Sequence, residues 1–340
     1  MNRIFNHQSI AYIILLFATI CNSADVTLKK TANYTKYKVP LTGFNINWSF
    51  LPVLNDKFIN VTKSLKPKII RYPGGTISNS WDWQQGLSTK YPRRAIHKIE
   101  DLVKMQKGTN ADVIFVLNVI SSTFKNQLEL LKNAQKLGIS IKYIEIGNEQ
   151  YLSSKKFGYN VKKFPSGKDY AKYANTWAAK LKKEFPRVKI GIVLLGRTNK
   201  NPRLQKWNSL VIDNIKAKNY DAFIYHIYLK FPNYIKLNPD NIARIIHKRI
   251  KYFEKSKVSN PKKQIWITEY GAHANSEEKT VEVTAKLADY IDSIADISMA
   301  HILFLKTRKR KYSFFSMIST NNETKLTKLG QMFKTRINAR

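Results

Sequence analysis

Eight short apolar runs, at 41–46, 68–72, 113–118, 143–146, 189–195, 222–228, 264–268 and 300–305, recur along this chain at intervals wide enough to hold a helix between each pair. Near-continuous apolar runs of this length mark strands buried on both faces, which is how the strands of a parallel sheet read. Helical spacing lies between them. It is clearest at Tyr170, Ala174, Trp177, Leu181 and Phe185, and again at Ile242, Ile246, Ile250 and Phe253. Gly108 and Gly138 stand where inter-strand helices are expected to stop. Strands alternating with helices predict a parallel α/β architecture, and eight strands are what a closed (β/α)8 TIM barrel requires. An open doubly wound sheet would need a glycine-rich phosphate loop after its first strand, and Thr42-Gly43-Phe44-Asn45 is not one. With no repeat and no Pro/Ser-rich linker, the expected organisation is a leader over 1–24, an irregular lead-in over 25–40 and one barrel domain over 41–340.

The leader reads as a secretory signal peptide: Arg3 supplies a positive start, Ile10 to Ile20 an apolar core, and Cys21-Asn-Ser-Ala24 small residues for cleavage. The apolar core is shorter than the about 20 residues a bilayer span needs. A retained membrane anchor is the competing interpretation of the same stretch. Thr19-Ile20 argues against a lipoprotein through Cys21. Export to the periplasm, cell surface or medium is therefore expected, without membrane insertion. The one cysteine lies in the leader, so the exported chain would rest on its apolar core rather than on disulfides. Sequons at Asn33, Asn47, Asn60 and Asn322 are as many as an Asn-rich chain has by chance.

Fifty-nine Lys and Arg oppose 23 Asp and Glu, a net charge of +36. Such a field gathers polyanions at the surface: acidic polysaccharides, nucleic acids or anionic cell surfaces. A nucleic-acid partner is disfavoured by the leader and by the lack of any recognisable motif. The histidines show no ligand spacing, so neither a metal nor a cofactor is expected.

Two glutamates follow strand-like runs directly: Glu149 in Ile146-Gly-Asn-Glu149, and Glu269 in Trp266-Ile-Thr-Glu-Tyr-Gly271. Catalytic groups of a parallel barrel sit where its strands end. Two carboxyls brought together there are the minimum needed to cleave a glycosidic bond, one protonating the leaving oxygen and the other attacking or activating water. Each string also fits a structural role: a capping or surface glutamate at 149, a buried carboxylate paired with Arg71 at 269. His226 and Tyr228, two apart on a strand, point to one face.

Four motifs in order carry a resemblance: Arg71-Tyr-Pro-Gly-Gly-Thr76, Gly147-Asn-Glu149, His226-Ile-Tyr228 and Thr268-Glu-Tyr-Gly271. From about residue 41 to 335 the chain resembles the clan A glycoside hydrolases, retaining enzymes on (β/α)8 barrels, and most nearly their arabinofuranosidase and heparanase-like families. The resemblance implies that Glu149 is the general acid/base and Glu269 the nucleophile, with the two carboxyls about 5–5.5 Å apart. It implies that Asn148 binds the hydroxyl beside the reacting carbon and that His226 and Tyr228 line the site, Tyr228 bonding the nucleophile. Arg71 would hold that carboxylate ionised. Asn47, Trp48, Trp81 and Trp83 follow the first two strands on the active face. A tryptophan there would serve as a sugar platform or as core packing.

Many clan members carry a tryptophan at the end of strand eight. Here that end is basic, with Lys306, Arg308, Lys309, Arg310 and Lys311, followed by Tyr312 and Phe314 as candidate substitutes. A basic loop on the active face would grip sulfate or uronate groups of a polymer, or simply be solvated. The expected partner is thus a polysaccharide substrate, with an anionic one favoured. The competing possibility is a noncatalytic glycan-binding barrel that serves adhesion.

Overall fold

The computed structural model describes residues 40–52, 54–90, 95–153, 158–197, 200–230, 240–241, 244, 263–303, 316–320 and 323–339. The expected leader (1–24), the lead-in up to residue 39 and the periodic positions Ile242, Ile246, Ile250 and Phe253 lie outside them. Eight strands close into a parallel barrel: β1 (Leu41–Ile46), β2 (Ile69–Tyr72), β3 (Asp112–Val116), β4 (Tyr143–Glu145), β5 (Lys189–Val193), β6 (Ala222–Lys230), β7 (Gln264–His273) and β8 (Ile297–Leu303). Each pairs with its neighbours in sequence, and β1 seals the ring against β8 with Leu41 opposite Ile297. The (β/α)8 architecture is the one the apolar runs predict.

Helices α1 (Asp56–Lys63), α2 (Ile99–Thr109), α3 (Phe124–Lys136), α4 (Gly167–Glu184), α5 (Trp207–Asn214), α6 (Glu277–Ile294) and α7 (Lys328–Asn338) follow the strands. Their starts are set by side chains that satisfy the first free backbone N–H groups. Ser166 and Asp169 form a reciprocal capping box on α4, while Asn55, Thr123, Ser276 and Thr327 cap α1, α3, α6 and α7. The stripe Tyr170, Ala174, Trp177 and Leu181 is the buried face of α4, as its spacing predicts. Burying each large apolar side chain of that stripe contributes about 1.5–3 kcal/mol. No helix among the described residues is long and apolar enough to cross a membrane.

Gly138 follows α3 at φ 94°, where a glycine ends a helix cheaply. Gly108 does not stop a helix: α2 runs through it to Thr109, and Asn110 takes the left-handed conformation instead. The absent side chain at 108 serves helix packing, because a Cβ there would lie 2.3 Å from Ile59 Cγ2.

Two strands are longer than their apolar runs. β6 and β7 pair out to Lys230 and His273, and their register shifts once, between Tyr225 and His226. Tyr225 faces Ile267 and His226 faces Glu269, so Thr268 is the extra residue of a β-bulge. The bulge decides where Glu269 points. Trp266 enters the barrel, where its ring meets Tyr143 of β4 at 5.7 Å. Strict alternation would send Thr268 inward and Glu269 outward to the helices. The inserted residue reverses that and puts Glu269 beside His226, on the inner face.

β1 and β2 approach so closely at Gly43 that a Cβ there would sit 2.0 Å from the Ile69 carbonyl oxygen. Gly43→Ala should cost about 3 kcal/mol or more, since backbone must move to admit it. Gly158→Ala, where nothing lies within 4 Å, should stay within about 0.5 kcal/mol. Urea unfolding of both variants checks this, and equal midpoints would refute the steric account.

Candidate active site

Arg71, wholly buried on β2, organises the upper barrel. Its Nε donates to Glu145 Oε1 and Oε2 at 3.0 and 3.1 Å, and Nη2 adds a bond to Oε2 at 2.7 Å. Nη1 donates to Glu269 Oε1 at 2.6 Å and to Asn45 Oδ1 at 3.3 Å, while Nη2 also reaches Asn148 Oδ1 at 2.8 Å. Burial alone would lower the guanidinium's pKa, but Glu145 and Glu269 outweigh it and raise the pKa instead. A single cation thus serves two buried carboxylates.

The second oxygen of Glu269 accepts from the Tyr228 hydroxyl at 2.6 Å. The direction of that bond is fixed three residues away. Arg71 can only donate, so Asn45 turns Oδ1 toward it and leaves Nδ2 facing His301 Nδ1 at 3.0 Å. An amide nitrogen only donates, so Nδ1 must accept and the ring proton sits on Nε2. Nε2 lies 2.6 Å from the Tyr228 oxygen and donates to it, leaving the tyrosine proton for Glu269. Burial pushes His301 down to about 4, with Arg71 and His226 assisting against Glu269. The ring is therefore neutral at neutral pH and contributes a fixed dipole.

Burial would raise the Glu269 pKa, but His226, Arg71, His301 and the Tyr228 bond together bring it down to about 2. Burial and the charge of Glu269 lift the Tyr228 hydroxyl well above its ordinary range, so it stays a donor.

Glu149 closes the site from the turn after β4. It has φ 53°, a backbone conformation rare outside glycine, and its Oε1 accepts from the Tyr151 hydroxyl at 2.8 Å. His226 stands between the carboxylates, with Nδ1 3.2 Å from Glu149 Oε1 and 3.7 Å from Glu269 Oε2. Its Nδ1 has no hydrogen bond of good angle, so these are close charge contacts. Nε2 pairs with Thr268 Oγ1 at 3.2 Å. Burial lowers the His226 pKa, and the two carboxylates more than restore it, for a net rise.

Arg71, Asn148, Glu149, His226, Tyr228 and Glu269 thus come together as the motifs predict. Asn47 joins them across a gap at Gly75, where a Cβ would lie 3.3 Å from Asn47 Nδ2 and 3.8 Å from Glu269 Oε1. Of the three tryptophans offered as platform or core packing, Trp48 and Trp81 pack into the core instead. Trp48 is wholly buried, edge-on to Tyr72 and His97 at 5.2 and 5.7 Å, and Trp81 is buried with its Nε1 bonded to the Tyr72 hydroxyl at 2.9 Å. Position after a strand gives the end of the barrel but not the side a ring faces. Trp83 is half-buried and donates to the Asn126 carbonyl. Lys306, Arg308, Lys309, Arg310, Lys311, Tyr312 and Phe314 lie outside the described residues.

Asn45, Glu145, Tyr151 and His301 are the site residues that sequence reasoning missed. Asn45, Glu145 and His301 do have a signal, each being a lone polar residue within an apolar strand run. Among the described residues no group of three or more His, Cys, Asp or Glu could hold a metal ion.

The depressed pKa of Glu269 makes a pH prediction with a definite sign. A carboxylate whose folded pKa lies below its ordinary 4.5 stabilises the fold above that value, and the contribution is lost as pH falls from 4.5 through about 2. The stability of the wild type relative to Glu269→Gln should decline as pH falls from about 4.5 toward 2, and His226, which Glu269 raises, adds a separate dependence nearer neutral pH. Paired urea titrations from pH 7 to 2 measure it. A difference that does not change with pH would show that Glu269 is not held ionised.

No curated protein sequence matches the chain. Solved structures do. The thermostable GH51 alpha-L-arabinofuranosidase from Thermotoga petrophila RKU-1 is 16% identical at a TM-score of 0.65, over 88% of this chain and 70% of that one. The FMN-binding beta-glucuronidase from Facaelibacterium prausnitzii L2-6 is 13% identical at 0.51, over 90% of this chain and 44% of that one. Beta-glucuronidase 2 of Bacteroides uniformis is 13% identical, also at 0.51, over 82% and 33%. At such identities these likenesses speak for the fold. The family model described as the glycosyl hydrolase catalytic core matches residues 59–333. This chain belongs to the glycosyl hydrolase catalytic core family, built on a (β/α)8 barrel.

Proposed function

We propose that this chain is an exported retaining glycoside hydrolase that cleaves an acidic polysaccharide by double displacement. One observation carries the reading: His226 Nδ1 touches both Glu149 and Glu269, while Arg71 and Tyr228 each bond Glu269. In the first step Glu269 attacks the anomeric carbon as Glu149 gives its proton to the departing oxygen, and the glycosidic C–O bond breaks. In the second, Glu149 takes a proton from water, the hydroxyl adds to the same carbon, and Glu269 leaves as a carboxylate. The shared neighbour limits the separation of those two glutamate oxygens to roughly 7 Å, below most of the inverting range and compatible with the retaining one. Asn148 fits the part of holding a sugar hydroxyl. Its Oδ1 is committed to Arg71, and its buried Nδ2 has no partner.

The net charge of +36 supports an acidic substrate, as does the Lys306–Arg308 segment just past β8. Exposed Arg197 also lies at this end, beyond β5 and near enough for its charge to act on the Tyr151 hydroxyl. The glucuronidases among the structural neighbours are named for an acidic sugar and the arabinofuranosidases for a neutral one. The leader over 1–24 supports export.

Purified protein and Glu269→Gln should be incubated with acidic and neutral polysaccharides and with aryl arabinofuranosides and glucuronides. Wild type should release reducing ends that first appear in the substrate's own anomeric configuration, and the variant should fall by about four orders of magnitude or more. Hydrolysis of the charged polymer should weaken between 0.05 and 0.5 M salt, conditions that screen charge beyond roughly 10 Å, while a neutral aryl glycoside is unaffected. Inverted product would overturn the double displacement. No turnover, with salt-sensitive binding by both proteins, would make this a glycan-binding barrel.

A further inference from the structure

Glu149 sits in a turn without regular backbone pairing, yet the carbonyls of four successive residues there are each held by a side chain. Asn79 Nδ2 donates to Asn148 O at 3.0 Å, and Asn160 Nδ2 to Glu149 O at 3.1 Å. Arg203 takes the next two, with Nη2 on Gln150 O at 2.9 Å and Nη1 on Tyr151 O. The same guanidinium reaches the far side of the segment, bonding Phe164 O at 2.8 Å and Pro165 O at 3.0 Å. All four partners are neutral carbonyls, so its charge is not cancelled by a carboxylate.

Arg203 is itself fixed. Asn201 and Pro202 begin a one-turn helix at Pro202–Gln205, with the Arg203 N–H bonded to Asn201 Oδ1 at 3.0 Å. The guanidinium lies 4.8 Å over the Trp207 ring. Trp207 is wholly buried, stacked on Tyr170 at 5.6 Å and met by the Tyr151 ring at 6.3 Å. Tyr170 in turn donates to Ile146 O at 2.8 Å, where β4 gives way to the turn. The Tyr151 hydroxyl bonds Glu149 Oε1. A rigid path therefore runs from the β5 side of the barrel, through Arg203 and Tyr151, to the Glu149 carboxyl.

We infer that Arg203 is a positioning residue for the acid/base: by clasping both ends of the segment after Glu149 it fixes Tyr151, and through Tyr151 it aims the Glu149 carboxyl. The inference rests on Glu149 being the general acid. A left-handed residue is strained and persists only where its surroundings impose it, and the clasp is part of what imposes it. Lysine cannot replace the fork, since one ammonium cannot span four carbonyls on two chain segments.

The test compares wild type, Glu149→Gln, Arg203→Lys, Tyr151→Phe and the Arg203→Lys/Tyr151→Phe pair on dinitrophenyl and methyl glycosides of arabinofuranose and glucuronic acid. Dinitrophenolate leaves without a proton, whereas methoxide requires one, so only the methyl glycosides report on acid catalysis. Arg203→Lys and Tyr151→Phe should each lower kcat/KM on the methyl glycoside by about tenfold or more and on the dinitrophenyl one by no more than about twofold, the pattern of Glu149→Gln in milder form. The double variant should be no slower than the slower single one, as for two members of one path. Arg203→Gln serves in its place if the lysine variant does not fold. If Glu149→Gln discriminates between leaving groups while the Arg203 variant slows both equally or neither, the positioning role is overturned and the acid role stands. If Glu149→Gln does not discriminate, or the wild type cleaves none of the four, the acid role fails and this inference with it.

Discussion

A guanidinium with no access to water and a committed partner for every N–H direction sets the terms on which the upper barrel is assembled. Arg71 binds Asn45 on β1, Glu145 on β4, Asn148 just beyond it and Glu269 on β7. An isolated ion in such a place would cost several kcal/mol, and two carboxylates around one cation leave a surplus of negative charge. Burial first, and then the charges of Glu269 and Glu149, keep Tyr228 and Tyr151 protonated. The same two glutamates raise His226 against burial, and Glu269 is met by a tyrosine whose proton is aimed there by a neutral histidine. Glu269 is ionised because His226, Arg71 and the Tyr228 hydroxyl face it, and Arg71 is bearable in the interior because of Glu269 and Glu145.

The barrel was legible because parallel strands buried on both faces leave apolar runs that little else produces. The strand ends were less so. β6 and β7 outlast their apolar runs because the inner face near the barrel's mouth is polar, and Glu269 and Tyr228 belong to strands for that reason. Gly108 misled because glycine serves close helix packing as well as helix stops. At the site, Glu149, Glu269, Arg71, Asn148, His226 and Tyr228 stood out through short motifs at strand ends. Asn45, Glu145 and His301 carried no motif, since a single polar residue in an apolar run gains meaning only when a partner from another strand is known. The partners are 74 residues away for Glu145 and 256 for the Asn45–His301 pair. Trp48 and Trp81 were assigned the right end of the barrel, but packing turned both inward.

The candidate site sits where regular structure is interrupted. A bulge at Thr268 turns Glu269 inward, Glu149 sits at a left-handed backbone position, and Gly75 lets the chain pass close to Glu269 and Asn47. Each interruption is over-determined by neighbours. The turn at 149 is held through its carbonyls by Asn79, Asn160 and Arg203, while the bulge is bracketed by continuous pairing on either side. Regular strands supply the frame, and the departures supply the aim.

The double pairing of Arg71 also bears on the order in which the chain can fold. Glu145 and Arg71 are joined by three bonds and both lie in the first four strands, so that half holds a compensated pair of charges by itself. Glu269 belongs to the second half, where among the described residues the ion-pair partner it meets is His226 when protonated. The two halves are therefore unequal as partial structures. The first can pair its buried cation with a carboxylate by itself, whereas the second brings Glu269 to the seam without its Arg71 partner.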